Sequence, residues 1–547
     1  MSLVSRRLGA LVAASALTAT GLTLAAPPAQ AAADPRPLDQ AISYLKNQLV
    51  DDIMLNPAFG GIEDYGLSAD VALSLKALGK EPETVKAIGK AVREHYYSWV
   101  TDYDSGFGNP SSPTELTGSM AKALVLSQVA GSDPSVYRDK VQADIEDNLY
   151  QGAPLTGRIR NINDFVYPPP DFNPVPGDNA NVFGQSFAAR ALVLADSDDK
   201  AAVLDFLLDQ QCADGGFREK FDASDDPNQE CGAGDTATYG DRIGATATAV
   251  INLQAIASEP GVNVTAALAS ARAWLVTQQN ANGSWGTGTG NANNTGLAAQ
   301  ALGETADTAE AAQWLRDFQA NDTDACTGLK KFVGAVALDE DTLTDGRNEG
   351  VPLTAVGTWQ RSTSQVLYGL SLVQAGPAVT LNLTGPNGYQ RGGSPATYQV
   401  SGAAAGAKLC TTVANNFKAG VANASGSASI ALPLPSSTAN RTVTVVDKDG
   451  NTDTVVTKVL GPARFTLLKK KSKVTSGKSV TVIVYGLAPG EKVTVSVKGD
   501  KVSGVATAQG RFAAKLKPSK KVGKKTIRAV GQFPDRTGST TVKVVKK

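Results

Sequence analysis

Histidine is almost absent from this chain, and closely paired cysteines are missing altogether. The 547 residues include one histidine, His95, and four cysteines with no CxxC pair among them. Structural zinc sites are built from closely spaced Cys and His ligands. We therefore expect no metal centre of that kind. His95 stands beside Tyr96 and Tyr97, and we interpret it as a packed or surface residue rather than a catalytic base.

Long apolar runs are also missing after residue 31. No stretch reaches the roughly 18 apolar residues that a membrane-spanning helix needs, so no integral membrane segment is expected. Residues 1–31 themselves resemble an export signal, with Arg6 and Arg7 ahead of an apolar stretch and a small-residue cleavage site at Ala29–Ala31. The general and the twin-arginine export routes both stay open. We expect a secreted protein that either stays in solution or binds the cell wall non-covalently.

The composition excludes a disordered or fibrous chain. Hydrophobic residues make up 42% of the sequence and charged residues 19%, which predicts two or more globular domains. An even number of cysteines in an exported chain favours disulfides over free thiols. Of the three pairings allowed, we expect Cys212–Cys231, which flanks one Gly/Asp-rich loop, and Cys326–Cys410, which would join two domains.

Charge is balanced overall but divided along the chain. Residues 32–377 contain 23 Lys+Arg against 46 Asp+Glu, whereas residues 461–547 contain 21 against 3. The C-terminal module therefore has a net charge of +18 and should be attracted to polyanions. We expect residues 463–547 to bind an anionic cell-wall polymer, with a solubilising lysine coat as the alternative. No nucleic-acid partner is expected, because an aromatic platform for stacking bases is missing.

Between residues 39 and 376 the sequence repeats one plan six times. An apolar helix is followed by a polar turn and then by a second helix rich in Ala and Leu, as in 201–211 with 244–257 and 266–279 with 295–302. The small residues of the second helices suit helices that are surrounded by others, so these should be inner. We expect residues 32–376 to close into an (α/α)6 toroid, and an open solenoid is the alternative.

Two of these repeats resemble a known superfamily. The segment 271–286, ARAWLVTQQNANGSWG, is similar to the QW motif of terpenoid cyclases, and 206–217, FLLDQQCADGGF, resembles the repeat of protein prenyltransferase β subunits. The resemblance covers roughly residues 39–376. It implies an α/α toroid in which Gln211 with Phe217, and Gln279 with Trp285, tie helix ends together.

The chemistry of that superfamily is not expected here. Prenyltransferase zinc needs a histidine that this region does not supply near its inner helices, and the thioester variant needs CGEQ where the chain has CGAGD at Cys231. A match to the DxDD acid of squalene-type cyclases, Asp196, Asp198 and Asp199, falls in a short turn where Asp is a common helix cap. With five Trp, 13 Tyr and 15 Phe in the chain, few aromatics remain to steady carbocations. Export also argues against isoprenoid cyclase or transferase activity.

Long loops within the pairs should gather at the end of the toroid where the inner helices begin. The helix N-termini there favour ligands with oxygen acceptors or negative charge, although capping alone also explains Asp, Asn and Thr at these positions. The candidate ligand-binding residues are Asp64, Tyr65, Asp70, Glu115, Asn181, Gln185, Asp241, Arg242, Asn293, Asn294, Trp359, Gln360 and Arg361.

Two acidic runs make a calcium site conceivable, although we interpret both as solvated loops. The first contains Asp222, Asp225 and Asp226, and the second Asp339, Asp341 and Asp345. In the second run Leu343 stands where an EF-hand loop needs an oxygen ligand. No cofactor is expected.

Alternating strand patterns follow the repeats. They predict a β-sandwich over 378–461 and a basic, immunoglobulin-like β-sandwich over 463–547, where the turn GLAPGEKVTV resembles bacterial surface domains. The expected fold is multi-domain α and β: an N-terminal (α/α)6 toroid followed by two all-β Ig-like sandwich domains.

We expect a non-catalytic, secreted or envelope-associated protein. Its toroid would capture a small polar ligand or a protein partner, and its basic β domain would serve as a tether. One alternative is a glycan-active enzyme, a polysaccharide lyase or glycoside hydrolase, with Asp64, Glu115 and Asp241 as carboxylates. A purely structural surface protein is the other alternative.

Overall fold

A computed structural model describes residues 32–101, 114–162, 179–232, 240–377 and 379–547. The proposed signal (1–31) and the rim loops at 102–113 and 163–178 lie outside these residues. The helical part comes first and is built of helix pairs. Its outer helices, numbered in chain order, are α1 (Pro35–Lys46), α3 (Pro82–Glu94), α6 (Ser135–Asp147), α8 (Lys200–Asp209), α10 (Thr265–Thr277) and α12 (Ala306–Asp317).

The partner helices form an inner layer. They are α2 (Tyr65–Ala77), α5 (Thr117–Ala130), α7 (Val182–Leu194), α9 (Arg242–Ile256), α11 (Ala292–Leu302) and α14 (Leu353–Gln365). Each of them contacts the next in chain order, and α14 returns to contact α2. Three short helices complete the set: α4 (Tyr96–Val100), α13 (Glu340–Glu349) and α15 (Leu367–Ser371). The result is a toroid-like helical domain.

The burial pattern separates the two layers. In α3 the buried residues Val85, Ile88, Gly89 and Val92 recur at helical spacing, as in a helix with one face in the core. In α9 the seven successive residues 244–250 are all buried, and most of them are Gly, Ala or Thr. Small side chains let helix backbones approach closely. Inner helices are therefore packed on nearly all sides by other parts of the chain.

A repeated glutamine ties neighbouring outer helices together. Gln211, Gln279 and Gln319 follow α8, α10 and α12, and the side-chain amide of each donates two hydrogen bonds to backbone carbonyls. One acceptor lies in the residue's own turn and the other near the start of the next outer helix. The acceptor pairs are Gly215 and Ala267 (2.8 and 2.9 Å), Gly283 and Asp307 (both 2.9 Å), and Gly334 and Pro37 (3.0 and 2.8 Å). Because Pro37 belongs to α1, Gln319 joins the last repeat to the first.

The turns that these glutamines hold are also pinned to the inner layer. The hydroxyls of Thr246, Thr295 and Thr363 accept hydrogen bonds from the backbone N–H groups of Phe217, Trp285 and Val336, at 2.8, 3.0 and 2.9 Å. Each of these threonines lies on an inner helix. The turn thus joins three helices through satisfied backbone groups, which are costly to leave unpaired when buried.

Gly334 shows how closely these turns approach the next outer helix. Its φ is +98°, and a Cβ there would lie 2.2 Å from the carbonyl oxygen of Gln40 in α1. Only glycine adopts this backbone conformation without strain and leaves room for the neighbouring helix.

The chain continues into two β domains, after a small sheet of β1 (Leu49–Val50), β2 (Ile53–Asn56) and β3 (Ile62–Glu63) within the helical part. The first β domain contains β4 (Asn382–Thr384), β5 (Tyr389–Arg391), β6 (Pro395–Ser401), β7 (Lys408–Val413), β8 (Asn416–Val421), β9 (Ala428–Pro433), β10 (Ala439–Asp447) and β11 (Thr452–Leu460). Its two sheets have the orders β5-β11-β10-β7-β8 and β4-β6-β9, and a core containing Tyr398 and Val443 belongs to them.

The second β domain has the same two-sheet plan. Its strands are β12 (Ala463–Arg464), β13 (Thr466–Lys469), β14 (Lys473–Thr475), β15 (Val480–Tyr485), β16 (Lys492–Val497), β17 (Asp500–Val505), β18 (Arg511–Leu516), β19 (Gly523–Val530) and β20 (Arg536–Val545). The larger sheet has the order β12-β20-β19-β16-β17, with β14 also paired to β20, and the smaller has the order β13-β15-β18.

Both predicted disulfides are confirmed. Cys212 pairs with Cys231, and Cys326 pairs with Cys410 on β7, so the second bridge joins the helical domain to the first β domain. The side chain of Arg316 on α12 strengthens the same junction by donating to the carbonyl of Lys448. The disulfides are compatible with a secreted or extracellular protein. Within the described residues we find no helix of the length and apolarity that crossing a membrane requires.

We expect Gly334→Ala to destabilise the protein by at least about 2 kcal/mol more than Gly261→Ala. Both glycines have positive φ, but a Cβ at Gly261 would meet no atom within 4 Å, so the comparison isolates the contact with α1. Chemical denaturation followed by circular dichroism measures the difference. Equal losses of stability would show that the turn does not clamp α1.

Candidate functional site

A cavity of about 780 Å³ lies inside the ring of inner helices. Each of the six inner helices contributes side chains or backbone to its wall, from Gly66 on α2 to Gln365 on α14. The volume is within the range of sites for drug-sized ligands, roughly 300–1,000 Å³. The ring of helices therefore encloses a space that is large enough for an organic molecule.

Hydrocarbon groups make up much of this wall. They include aliphatic side chains from four inner helices and four aromatic rings from α4, α7 and α15. These residues are Leu73, Val129, Ile251, Leu297, Trp99, Phe183, Phe187 and Tyr368. Such a wall favours an apolar ligand, because burying its hydrocarbon surface contributes about 25 cal/mol per Å².

One set of charges in the wall neutralises itself. The carboxylate of Asp70 lies 2.5 Å from the ammonium of Lys122, which also donates to the carbonyl of Gly66 at 2.9 Å. Arg361 approaches the same carboxylate at 4.0 Å and forms a closer ion pair, 3.0 Å, with Asp64. Two cations thus face two carboxylates, and the group presents little net charge to a ligand.

Arg190 differs, because its charge has no such compensation. It lies on α7 and lines the cavity, and the one hydrogen bond that it makes with a described residue is long, 3.4 Å, from Nη1 to the side-chain oxygen of Asn252. Its Nε is buried without a partner, and no described carboxylate forms an ion pair with it. Burial lowers the pKa of Arg190 to about 10. A cation in this position is a partner for an anionic group of a ligand.

Several of the predicted site residues cap inner helices at the rim. The side chains of Asp64, Asn181 and Asp241 accept hydrogen bonds from backbone N–H groups of Leu67, Gly184 and Gly244, at 2.9, 3.2 and 3.0 Å. Of the predicted set, Asp70 and Asn181 line the central cavity. Asp241, Asn293 and Asn294 line a second pocket of about 790 Å³, where Asn294 donates to Asp241 at 3.1 Å.

The other predicted residues have contacts elsewhere. Gln185 is fully buried and bonds backbone groups of Gly157, Ile159 and Val203. Trp359 and Gln360 are buried in the core, where Trp359 packs 5.8 Å from the ring of Phe332. Glu115 accepts from Asn148 at 3.0 Å, and Tyr65 donates to Glu63. None of the five predicted residues in this group, Gln185, Trp359, Gln360, Glu115 and Tyr65, lines either pocket.

Arg242 lies outside the lining of the central cavity and forms an ion pair with Asp214. Its two terminal nitrogens bond both carboxylate oxygens of Asp214, at 2.9 and 2.7 Å, and its guanidinium lies 4.8 Å from the ring of Trp274. The hydrogen bond from Arg242 lowers the pKa of Asp214 below its usual range. This geometry serves the packing of α9 against α10.

The acidic motifs lie outside the cavity wall. The DSDD turn follows α7, and Asp196 in it is exposed and paired with Lys200. In the acidic runs, Asp222 pairs with Arg218, and Asp339 caps α13 by accepting from Thr342 at 2.9 Å. The part of the chain that the structure describes holds no group of three or more His, Cys, Asp or Glu residues suited to a metal ion. The expectation that both acidic runs are solvated loops, with calcium as the alternative, stays untested.

Sequence analysis missed Lys122 and Arg190. Each stands alone as a charged residue within a run of small and apolar residues, in SMAKALVL and SFAARALVL. An inner helix surrounded by other helices has no water to face, so a lone charge on it must point either to a partner or into an internal space. That pattern is the signal that would have found both residues.

No family model matches the chain, and neither does any curated protein. The solved structures that it resembles include terpene cyclases. The type II terpene cyclase MstE from Scytonema is 14% identical with a TM-score of 0.42, over 61% of this chain and 97% of that one. An ent-copalyl diphosphate synthase from Streptomyces platensis is 19% identical with a TM-score of 0.33, over 57% of this chain and 51% of that one. A protein from Actinoplanes is also 19% identical, with a TM-score of 0.39, over 62% of this chain and 98% of that one.

The prediction of a non-catalytic protein that captures a polar ligand, without isoprenoid chemistry, is contradicted. Structures of the Scytonema terpene cyclase with its substrate and with its product are among those that this chain resembles. The physical reason for the error lies in the wall of the cavity. Capping residues directed the prediction to the polar rim, whereas the wall of the enclosed space below it also presents aliphatic side chains and four aromatic rings.

We expect Arg190→Met to raise the unfolding midpoint by about 2 °C. Because burial lowers the pKa of Arg190 to about 10, below its ordinary value, the charged form weakens folding at every pH below about 10. Methionine removes this cost and keeps much of the volume. Differential scanning calorimetry at pH 7 measures the change, with Arg272→Met, at an exposed cavity residue, as the control. A lower midpoint would mean that the guanidinium stabilises the ring.

Proposed function

We propose that the helical domain is isoprenoid cyclase-like and encloses a flexible hydrocarbon chain with an anionic end group. The observation that supports this most strongly is the combination of aliphatic and aromatic groups in the wall with the desolvated guanidinium of Arg190, which forms no ion pair with a described residue. A wholly polar ligand would leave the wall's apolar groups facing polar atoms, and a wholly apolar one would leave Arg190 without a partner. An amphipathic isoprenoid satisfies both.

The aromatic rings give this proposal a chemical basis. Phe183, Phe187, Trp99 and Tyr368 present π faces or edges to the cavity, and π faces attract cations such as the carbocations of isoprenoid cyclisation. Lys122 already lies 5.7 Å from the ring centre of Phe187. The carboxyl group of Asp70, which lies in the wall and is ion-paired with Lys122, is the candidate to accept a proton from such a cation.

We also propose the finer points of fold and location. The unbroken succession of contacts from α2 to α14 and back supports a closed (α/α)6 toroid. The pairing of a larger and a smaller sheet in each β domain supports two Ig-like sandwiches. The two disulfides, together with the signal-like residues 1–31, support export from the cell.

The test of the anionic end compares two ligands with the same hydrocarbon chain. We expect geranylgeranyl diphosphate to bind the native protein, and Arg190→Met to weaken this binding about tenfold or more. Binding of geranylgeraniol, which lacks the diphosphate, should stay nearly unchanged in the variant. Isothermal titration calorimetry measures both, with Arg272→Met as the matched control. An equal loss of affinity for the two ligands would show that Arg190 does not bind the anionic end group.

The test of the cavity itself uses a filling substitution. Ile251 lies in the wall, and Ile251→Trp should abolish binding of both ligands by occupying the space of the chain. Gas chromatography with mass spectrometry of the incubated ligand then reports cyclised product. Failure of native protein to bind either ligand would overturn the proposal.

A further inference from the structure

The outer face of the larger sheet in the second β domain has a strong positive charge. Antiparallel register places alternate residues of β16, β17, β19 and β20 on this face, and β12 and β14 extend it at the edge. Its exposed cations are Arg464, Lys473, Lys492, Lys501, Lys524, Arg528 and Lys543. We call this surface the basic face.

The register brings three of these lysines into one row. Lys473 on β14 stands opposite Lys543 on β20, and Lys543 stands opposite Lys524 on β19. Neighbouring strands lie about 4.8 Å apart, so the row spans roughly 10 Å at the backbone. Arg528 follows Lys524 on the same side of β19 at about 13 Å along the strand. The cations therefore form an extended two-dimensional array rather than one pocket.

The acidic residues of the domain do not neutralise the basic face. Glu491 is buried in a double ion pair with Arg536, at 2.6 and 2.7 Å. Asp535 pairs with Arg391 of the first β domain at 3.1 Å, and Asp500 accepts from the backbone N–H of Lys517 at 2.7 Å. No ion pair with a described residue involves a cation of the basic face.

Among the outward-facing strand positions of this domain, cations are more frequent on the larger sheet than on the smaller one. The outward positions of the smaller sheet include two cations, Arg511 and Lys515, alongside Leu468, Ile483 and Ala513. Arg511 stacks 5.1 Å from the ring of Tyr485. Lysines placed only for solubility would be expected on both faces alike. Exposed lysines also lie off this face, such as Lys470, Lys478 and Lys520, but the larger sheet aligns cations on adjacent strands, and this array points to a binding surface.

We infer that the basic face binds an extended polymer with repeated phosphate groups and no nucleobases. Ammonium and guanidinium groups in an array match phosphates spaced along a chain. Between the cations stand hydroxyl residues such as Thr494, Ser496 and Thr526, which donate hydrogen bonds to phosphate oxygens or to sugar and polyol hydroxyls. The strand positions of the basic face include no aromatic side chain on which a base could stack. This surface is independent of the cavity and extends beyond the function proposed for it.

The experiment compares two full-length variants with the same change in net charge. The row variant combines Lys473→Gln, Lys524→Gln and Lys543→Gln. The control combines Lys515→Gln, Lys517→Gln and Lys520→Gln, which lie off the basic face. Biolayer interferometry with immobilised poly(glycerol phosphate) measures binding, and calorimetry checks that both variants unfold as the native protein does.

We expect the row variant to bind about tenfold more weakly than native protein, and the control to change by less than about threefold. Binding by native protein should also weaken steeply between low salt and about 0.5 M salt, a result that needs no variant. Equal losses in the two variants would reduce the effect to net charge and overturn the inference. Salt-independent binding, or tighter binding to single-stranded DNA than to the glycerol phosphate polymer, would overturn it as well.

Discussion

The glutamine–glycine turn is the interaction on which the helical domain depends. Inner helices packed on nearly all sides cannot be held by amphipathic faces alone, because their small side chains offer little surface to distinguish one neighbour from another. The amides of Gln211, Gln279 and Gln319 supply directed bonds between successive outer helices, and the last of them reaches α1. Threonine hydroxyls on the inner helices fix the same turns from inside. The link from Gln319 to Pro37 closes the series, and so it holds the enclosed space in shape.

The enclosed cavity lowers the stability of the helical domain. A cavity of about 780 Å³ leaves its lining without the contacts that a filled core would give, and a buried cation adds a further cost of desolvation. Asp70 and Lys122 meet this cost by pairing with each other, whereas Arg190 meets it only in part through Asn252. A protein selected for stability alone would place a hydrocarbon side chain at that position. The guanidinium is explained if a bound anion completes its hydrogen bonds.

The sequence allowed the helix pairs, both disulfides and the β domains to be predicted, since period, spacing and composition report on local structure directly. Gln319 was not predicted, because Val336 takes the place that Phe217 and Trp285 have in the other turns. The function of Gln319 is visible only in the structure, where its amide bonds Pro37 of α1. The site was harder for a related reason. Asp64 and Asp241 have the residue types of both a cap and a ligand, and the backbone N–H groups of their own helices take up part of their capacity. Arg190 faces a space that exists only after distant helices assemble.

The helical domain and the last β domain have net charges of opposite sign, and specific contacts hold each of the two domain junctions between them. The helical domain is acidic and the last β domain strongly basic, so long-range attraction alone would allow many relative orientations, and salt would screen it. The Cys326–Cys410 bridge and the bond from Arg316 to Lys448 define one orientation at the first junction. Arg391 with Asp535, and Tyr389 with the carbonyl of Pro489, do the same at the second. Asp535 is one of only three acidic residues in 461–547, and its partner Arg391 belongs to the neighbouring domain. The contact that orients the domains thus also engages one of the few carboxylates that the basic domain contains.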